Sequence, residues 1–267
     1  MKRIIPALFA AALLAPAASF AHDLWLEPSS TVLSGDEAYI TVDAAAGNDK
    51  FYYNHRPLGL DNLVITSPTG KSVKAENEFK GELRSGFDVN LTEDGTYRIA
   101  LVTDGGIFAR WKEGEENRRW FGKAEDLEKK VPKNAKDLVV RERVQRIETF
   151  VTKGNPTELA PVKKGLALSG ETHPNDLYAG ETAKFVLTLD GEPAKNLEVE
   201  IVRDGSRYRD AVEDITVNTD EQGRFEIKWP QAGLYWLHAD LQDSKTSTSA
   251  ASERAVAYVA TLEVLPQ

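Results

Sequence analysis

The chain reads as all-β: two immunoglobulin-like β-sandwich domains with a charged, partly helical insertion. Three observations point there. A strand-rich module is used twice, since Leu33-Ser34-Gly35-Asp36-Glu37-Ala38-Tyr39-Ile40-Thr41-Val42 is echoed by Tyr178-Ala179-Gly180-Glu181-Thr182-Ala183-Lys184-Phe185-Val186-Leu187. Each copy is a glycine turn, acidic residues and then an alternating strand. A Gly-x-Tyr then follows in each half, at Gly95-Thr96-Tyr97 and Gly233-Leu234-Tyr235. At a strand entrance this suggests the tyrosine corner of immunoglobulin-like sandwiches. Finally, turn signals such as Ser67-Pro68-Thr69-Gly70, Asp190-Gly191-Glu192-Pro193 and Asp220-Glu221-Gln222-Gly223 punctuate β-rich runs at short spacing.

Residues 1–21 read as an address. Lys2 and Arg3 precede an apolar run over 4–18, too short for a membrane span but shaped like a secretory h-region. Ser19-Phe20-Ala21 supplies small residues where signal peptidase inspects, so cleavage is expected between Ala21 and His22. Asp23-Leu24-Trp25-Leu26-Glu27-Pro28 alternates like a first strand. The first sandwich domain is expected over 22–155, with the insertion at about 105–140. Within it, the best helix candidate is 123–130, stopping before Pro132, and 139–152 alternates like a strand returning to a sheet. Gly154-Asn155-Pro156 and Ala160-Pro161 mark a linker, and the second domain follows over 165–267. There, Arg224-Phe225-Glu226-Ile227-Lys228-Trp229 is a half-buried strand by its alternation.

Composition excludes much chemistry. The 267 residues include no cysteine and a single methionine, Met1, which removes thiol nucleophiles, disulfides, iron–sulfur clusters and thioether copper sites. Any metal is therefore held by nitrogen and oxygen. Without Lys2 and Arg3, 31 cationic residues face 42 acidic ones, a net charge of −11 that opposes nucleic acid and anionic membranes. No lipidation cysteine follows the signal and no second apolar run has membrane length, so a periplasmic protein without a direct membrane anchor is expected. There is no phosphate-binding glycine loop, no Gly-x-Ser-x-Gly elbow and no His-Glu-x-x-His helix.

The four histidines, His22, His55, His173 and His238, are the remaining focus. Cleavage before His22 gives it a free α-amine beside an imidazole, and the two nitrogens can chelate one ion. The amine's reference pKa near ~7.7–8.0 lets a divalent ion displace its proton. Ni(II), Co(II) and Cu(II) favour such nitrogen donors; the competing reading is a solvated chain end. His55 lies where aromatic Phe51-Tyr52-Tyr53 runs into a loop, and reads as a ligand or as a hydrogen-bonded structural histidine. His173 precedes Pro174 in a turn, and reads as an exposed turn residue or as a ligand facing the first domain across the linker. His238 shares a strand face with Trp236 and Asp240 and has a packing role by default. Trp25, Trp111, Trp120, Trp229 and Trp236 read as core residues or as a sugar-stacking platform.

The start His22-Asp23-Leu24-Trp25-Leu26-Glu27-Pro28, the stretch Asn54-His55-Arg56-Pro57-Leu58, the segment Glu148-Thr149-Phe150-Val151-Thr152-Lys153-Gly154 and the turn Thr172-His173-Pro174-Asn175-Asp176 resemble a bacterial periplasmic family. So do Thr219-Asp220, Gly233 to Trp236 and the C-terminal run from Tyr258 to Pro266. It is the domain-of-unknown-function family 4198, often labelled the periplasmic component of a cobalt or nickel transport system. The resemblance spans essentially the whole chain after residue 21. It implies a soluble metal-handling partner of a membrane uptake component, and His22, His55 and His173 lie in the matching stretches.

The expectation is therefore a non-enzymatic periplasmic protein that captures nickel or cobalt, or copper or zinc, through His22, His55 and His173, the last contributing only if the domains close. The enzyme alternative is a copper monooxygenase with His22 and a second histidine as a brace and the tryptophans holding a polysaccharide. The third reading is a glycan- or protein-binding module in which the histidines are incidental.

Overall fold

The computed structural model describes residues 22–36 and 38–267. The expected signal segment 1–21 lies outside them. The fold is all-β, with three sheets among the described residues. The first runs β1 (Asp23–Pro28), β3 (Tyr39–Gly47), β8 (Ser85–Asn90), β7 (Glu76–Lys80), with β4 (Arg56–Pro57) also on β3. The second, of ten strands, runs β16 (Ile215–Asn218), β15 (Glu198–Arg203), β18 (Gly233–Asp243), β19 (Glu253–Val264), β11 (Lys136–Lys153), β9 (Gly95–Glu113), β5 (Leu63–Thr66), β6 (Ser72–Val73). On it, β10 (Glu116–Gly122) pairs with β9 and β2 (Val32–Leu33) with β11. The third holds β12 (Leu166–Gly170), β13 (Thr182–Leu189) and β14 (Glu192–Pro193), with β17 (Arg224–Lys228) on β13.

The ten-stranded sheet is shared by the two halves. Its strands bury alternate residues on opposite faces. Ile147, Val202, Trp236 and Val259 join Trp25, Phe87 and the core of the first sheet. Their neighbours Phe150, Ile201, Tyr235 and Tyr258 join Phe185, Trp229 and the core of the third. Two sandwiches are thus built on opposite faces of one sheet. This is why residues 255–262 of β19 read as a nearly unbroken apolar run: a strand buried on both faces has no solvent side to be polar on. β17 keeps one solvent face, so Phe225 and Ile227 alternate with exposed Arg224, Glu226 and Lys228, as its pattern predicts.

The halves join where β11 runs parallel to β19, in register from Arg141 opposite Glu253 to Thr149 opposite Thr261. Glu148 on β11 is fully buried at this seam. It accepts a hydrogen bond from the Tyr258 hydroxyl at 2.7 Å and pairs with Arg146 at 3.2 Å and Arg98 at 3.4 Å. Pairing of this kind is what makes a buried carboxylate tolerable.

Both expected tyrosine corners are present. The Tyr97 hydroxyl accepts from the Glu93 backbone N–H at 2.7 Å, and the Tyr235 hydroxyl donates to the Gln231 carbonyl at 2.8 Å. The preceding glycines hold φ of +124° at Gly95 and +142° at Gly233, where any side chain is strained. Tyr97→Phe and Tyr235→Phe are each expected to cost ~1 kcal/mol, one net hydrogen bond, in chemical denaturation. Unchanged midpoints would show that the corners contribute nothing to stability.

The insertion is mostly strand. β9 and β11 extend past the sandwich, β10 folds back on β9, and a 3-10 turn at Ala124–Asp126 leads into the four-residue helix α1 (Leu127–Lys130). Trp111, Ala109 and Val131 form a small core of their own there. The expected returning strand, 139–152, lies inside β11. No helix among the described residues is long and apolar enough to cross a membrane.

Candidate functional site

β3 positions the first two histidines. Leu24 of β1 and Arg56 of β4 both pair with Ala46, one strand on each side of it. The residues just before those strands, His22 and His55, therefore flank the end of β3. The loop between β3 and His55 is anchored by its aromatics: Phe51 and Tyr53 meet the buried Trp25 edge-on at 5.9 and 5.6 Å. Asn54 Oδ1 accepts from the Asn48 backbone N–H at 2.9 Å, closing the loop. Arg207, from the other half of the chain, lies 3.7 Å over the Tyr52 ring. An aromatic-rich sequence thus places His55 on a rigid support.

The imidazoles of His22 and His55 stack, with centroids 3.6 Å apart and planes within 3°. Desolvation, then the neighbouring His22 and Arg56, hold the His55 pKa below its ordinary value. The neutral, metal-competent form is favoured accordingly. Stacking is not yet coordination. An ion ~2.0–2.1 Å from an imidazole nitrogen lies near that ring's plane, and two parallel planes at stacking distance share no such point. One ring must turn to share an ion, and His55, exposed at a loop end, has room to do so. No group of three or more His, Cys, Asp or Glu side chains with metal-holding geometry occurs among the described residues.

Beside the pair lies a charged cluster. The Lys50 ammonium sits 3.3 Å from Asp23 and 3.7 Å from Glu200, and 4.8 Å from the Trp236 ring centroid. Burial raises the Asp23 carboxyl, and Lys50 opposes that shift. Trp236 donates its indole N–H to the Leu24 carbonyl at 2.9 Å, tying β18 to β1. His238 stacks on Trp236 at 5.0 Å and lies 3.8 Å from Asp240, the packing role its strand face predicted. Burial pushes its pKa down to about 4. Neither spacing nor composition signals Lys50 or Glu200, which meet Asp23 only through the fold.

His173 is placed elsewhere. Its Nδ1 accepts from the Asn175 backbone N–H at 3.0 Å, so the proton is on Nε2, which faces the Thr157 carbonyl and the Thr96 hydroxyl, both at 3.1 Å. Thr96 in turn bonds Thr152. The Thr152 N–H is bound to the carbonyl of Thr31, past the far end of β1 from His22. At ~3.3 Å per residue, β1 separates the two sites by on the order of 20 Å. The domain closure that would bring His173 to His22 has no hinge to use, because both halves share one sheet. Protonating Nδ1 breaks the Asn175 bond, and desolvation already lowers the His173 pKa. Of the tryptophans, Trp25, Trp111, Trp229 and Trp236 are buried, which makes them core rather than a platform.

The chain matches, over residues 19–243, the family model described as Domain of unknown function (DUF4198). The chain belongs to this family. No curated protein matches it. Among solved structures, the D0-D1 domain of intimin is similar at 10% identity and a TM-score of 0.24, covering 90% of this chain and 97% of that one. A marsupial T cell receptor, at 10% identity and a TM-score of 0.22, covers 92% of this chain and 74% of its own. The DUF4198 assignment leaves activity open, so function rests on the site.

Proposed function

We propose that this DUF4198 protein is exported to the periplasm and captures a divalent transition metal ion, nickel or cobalt with copper or zinc as competitors, for delivery to a membrane uptake component. The observation that carries the reading is the pairing of His22 with His55 at the end of β3. His22 is also the residue that follows the expected cleavage point. Its amine and imidazole are the anchor, and rotation of His55 out of the stack supplies a third nitrogen. Three nitrogens without sulfur suit Ni(II), Co(II), Cu(II) or Zn(II) over Cu(I). Asp23 and Glu200 together outweigh Lys50, so the adjoining cluster adds no net positive charge against a bound cation. The neighbouring tryptophans lie in the core and add no support to polysaccharide oxidation.

The test is a calorimetric titration of processed protein with each of the four ions, beside a variant carrying one extra alanine before His22. The extension keeps every side chain and moves only the amine. One ion is expected to bind tightly, with proton release, and the extended form to lose at least tenfold, ~1.4 kcal/mol. His55→Ala is expected to weaken binding by a similar factor. Equal binding by processed and extended forms, or no binding, would overturn the reading.

A further inference from the structure

The third sheet does not cover the whole face of the ten-stranded sheet. It packs on the β15, β18, β19 and β11 side, and over β9 and β5 its place is taken by the irregular segment 158–165. Between that segment and the strands is a cavity of about 750 Å³, within the range of small-molecule sites. Its outer wall is pinned at both ends. Thr96 and Thr157 exchange backbone-to-hydroxyl bonds at 2.9 and 3.1 Å, and the Gly165 N–H donates to Asp190 at 2.9 Å. The cavity is therefore preformed.

The lining divides by chemistry. Val64, Val102, Val144, Leu159 and Val162 form apolar surface. Val64, on β5 one strand in from the sheet edge, is 47% exposed there. Arg98 and Arg146 stand on adjacent strands at the floor, and both pair with the one buried carboxylate, Glu148. Two guanidinium groups against one carboxylate leave a single excess positive charge, largely desolvated. Arg98 is spent on structure, donating to the carbonyls of Ala160 at 2.7 Å and Leu168 at 3.4 Å. Arg146 is not: its one side-chain hydrogen bond among the described residues is the 3.2 Å contact to Glu148, and 15% of its side chain is left exposed at the groove. A guanidinium edge open to the groove can donate to an oxyanion there. At the rim, Lys164 pairs with Asp104, and Glu158 offsets Lys163, so the wall adds no large positive field. One excess charge beside apolar surface selects a monoanion with a hydrocarbon body over a polyphosphate.

We propose that this groove is a binding site for a small amphipathic carboxylate, with Arg146 as the anchor of its carboxylate and the valines as the seat of its apolar part. The site is independent of His22 and His55, so it stands or falls apart from metal capture.

The test is ligand-observed NMR and calorimetry on processed protein with hexanoate, hexanol, hexylamine and inorganic phosphate. Hexanoate is expected to bind saturably and the others at least tenfold more weakly. Arg146→Gln is expected to weaken hexanoate at least tenfold while keeping the fold, because Arg98 still neutralises Glu148. Val64→Glu, at an exposed floor position, adds a repelling carboxylate without touching that trio and is expected to abolish binding. Equal binding of hexanol would mean an apolar groove without an anion anchor, and would overturn the proposal. So would phosphate binding in place of hexanoate, no binding by any probe, or hexanoate binding that folded Arg146→Gln and Val64→Glu leave unchanged.

Discussion

Glu148→Ala is expected to destabilise the chain by ~3–5 kcal/mol, the cost of removing one partner from a buried ionic cluster. Glu148 is fully buried at the seam, and its loss leaves Arg98 and Arg146 facing each other with no anion between them. It also strips the Tyr258 hydroxyl of its acceptor. These partners stand on β9, β11 and β19, which belong to both halves, so the loss is felt by both sandwiches at once. Denaturant unfolding followed separately by tryptophan fluorescence and far-ultraviolet dichroism checks this. The two probes are expected to shift together. Melting of one half alone would sink the idea that the shared sheet couples them.

The second large effect is acid destabilisation through His238. Its pKa is pushed down to about 4 by burial against Trp236. A histidine depressed in the folded state contributes its stability above its unfolded value of ~6.5, and loses it as pH falls toward the folded value. The shift corresponds to on the order of 3 kcal/mol between pH 7 and pH 4. Glu200 opposite and Asp240 alongside favour the charged ring, while Lys50 opposes it, and burial outweighs them all. Asp23, Asp204 and Asp240, raised by burial, gain stability in the same window. The measurement is therefore a difference: wild type minus His238→Gln, by denaturation midpoints from pH 7.5 to pH 4. The curves are expected to converge or cross as pH falls. Parallel curves would refute the role of His238.

Local patterns carried several of the elements. Alternation marked β13 and β17, Gly-x-Tyr marked both corners, and the break before Pro132 marked the end of α1, because each depends on neighbours in sequence. His22 and His55 were legible as candidates from a strand start and a loop end. Their stacking was not, since it depends on Leu24 and Arg56 meeting the same residue of β3. His173 was misleading for the converse reason: its turn is recognisable, but the far end of β1 is where it lands.

Composition and periodicity were enough for the all-β class, the lack of sulfur chemistry and the short list of nitrogen ligands. Those properties belong to residues or to short windows of chain. The sharing of one ten-stranded sheet, the burial of Glu148 between two arginines, the groove beside Arg146 and the cluster around Lys50 came only with the assembled fold. Each joins side chains from strands far apart in sequence, and strand pairing across such distances is set by how two cores close on the opposite faces of one sheet.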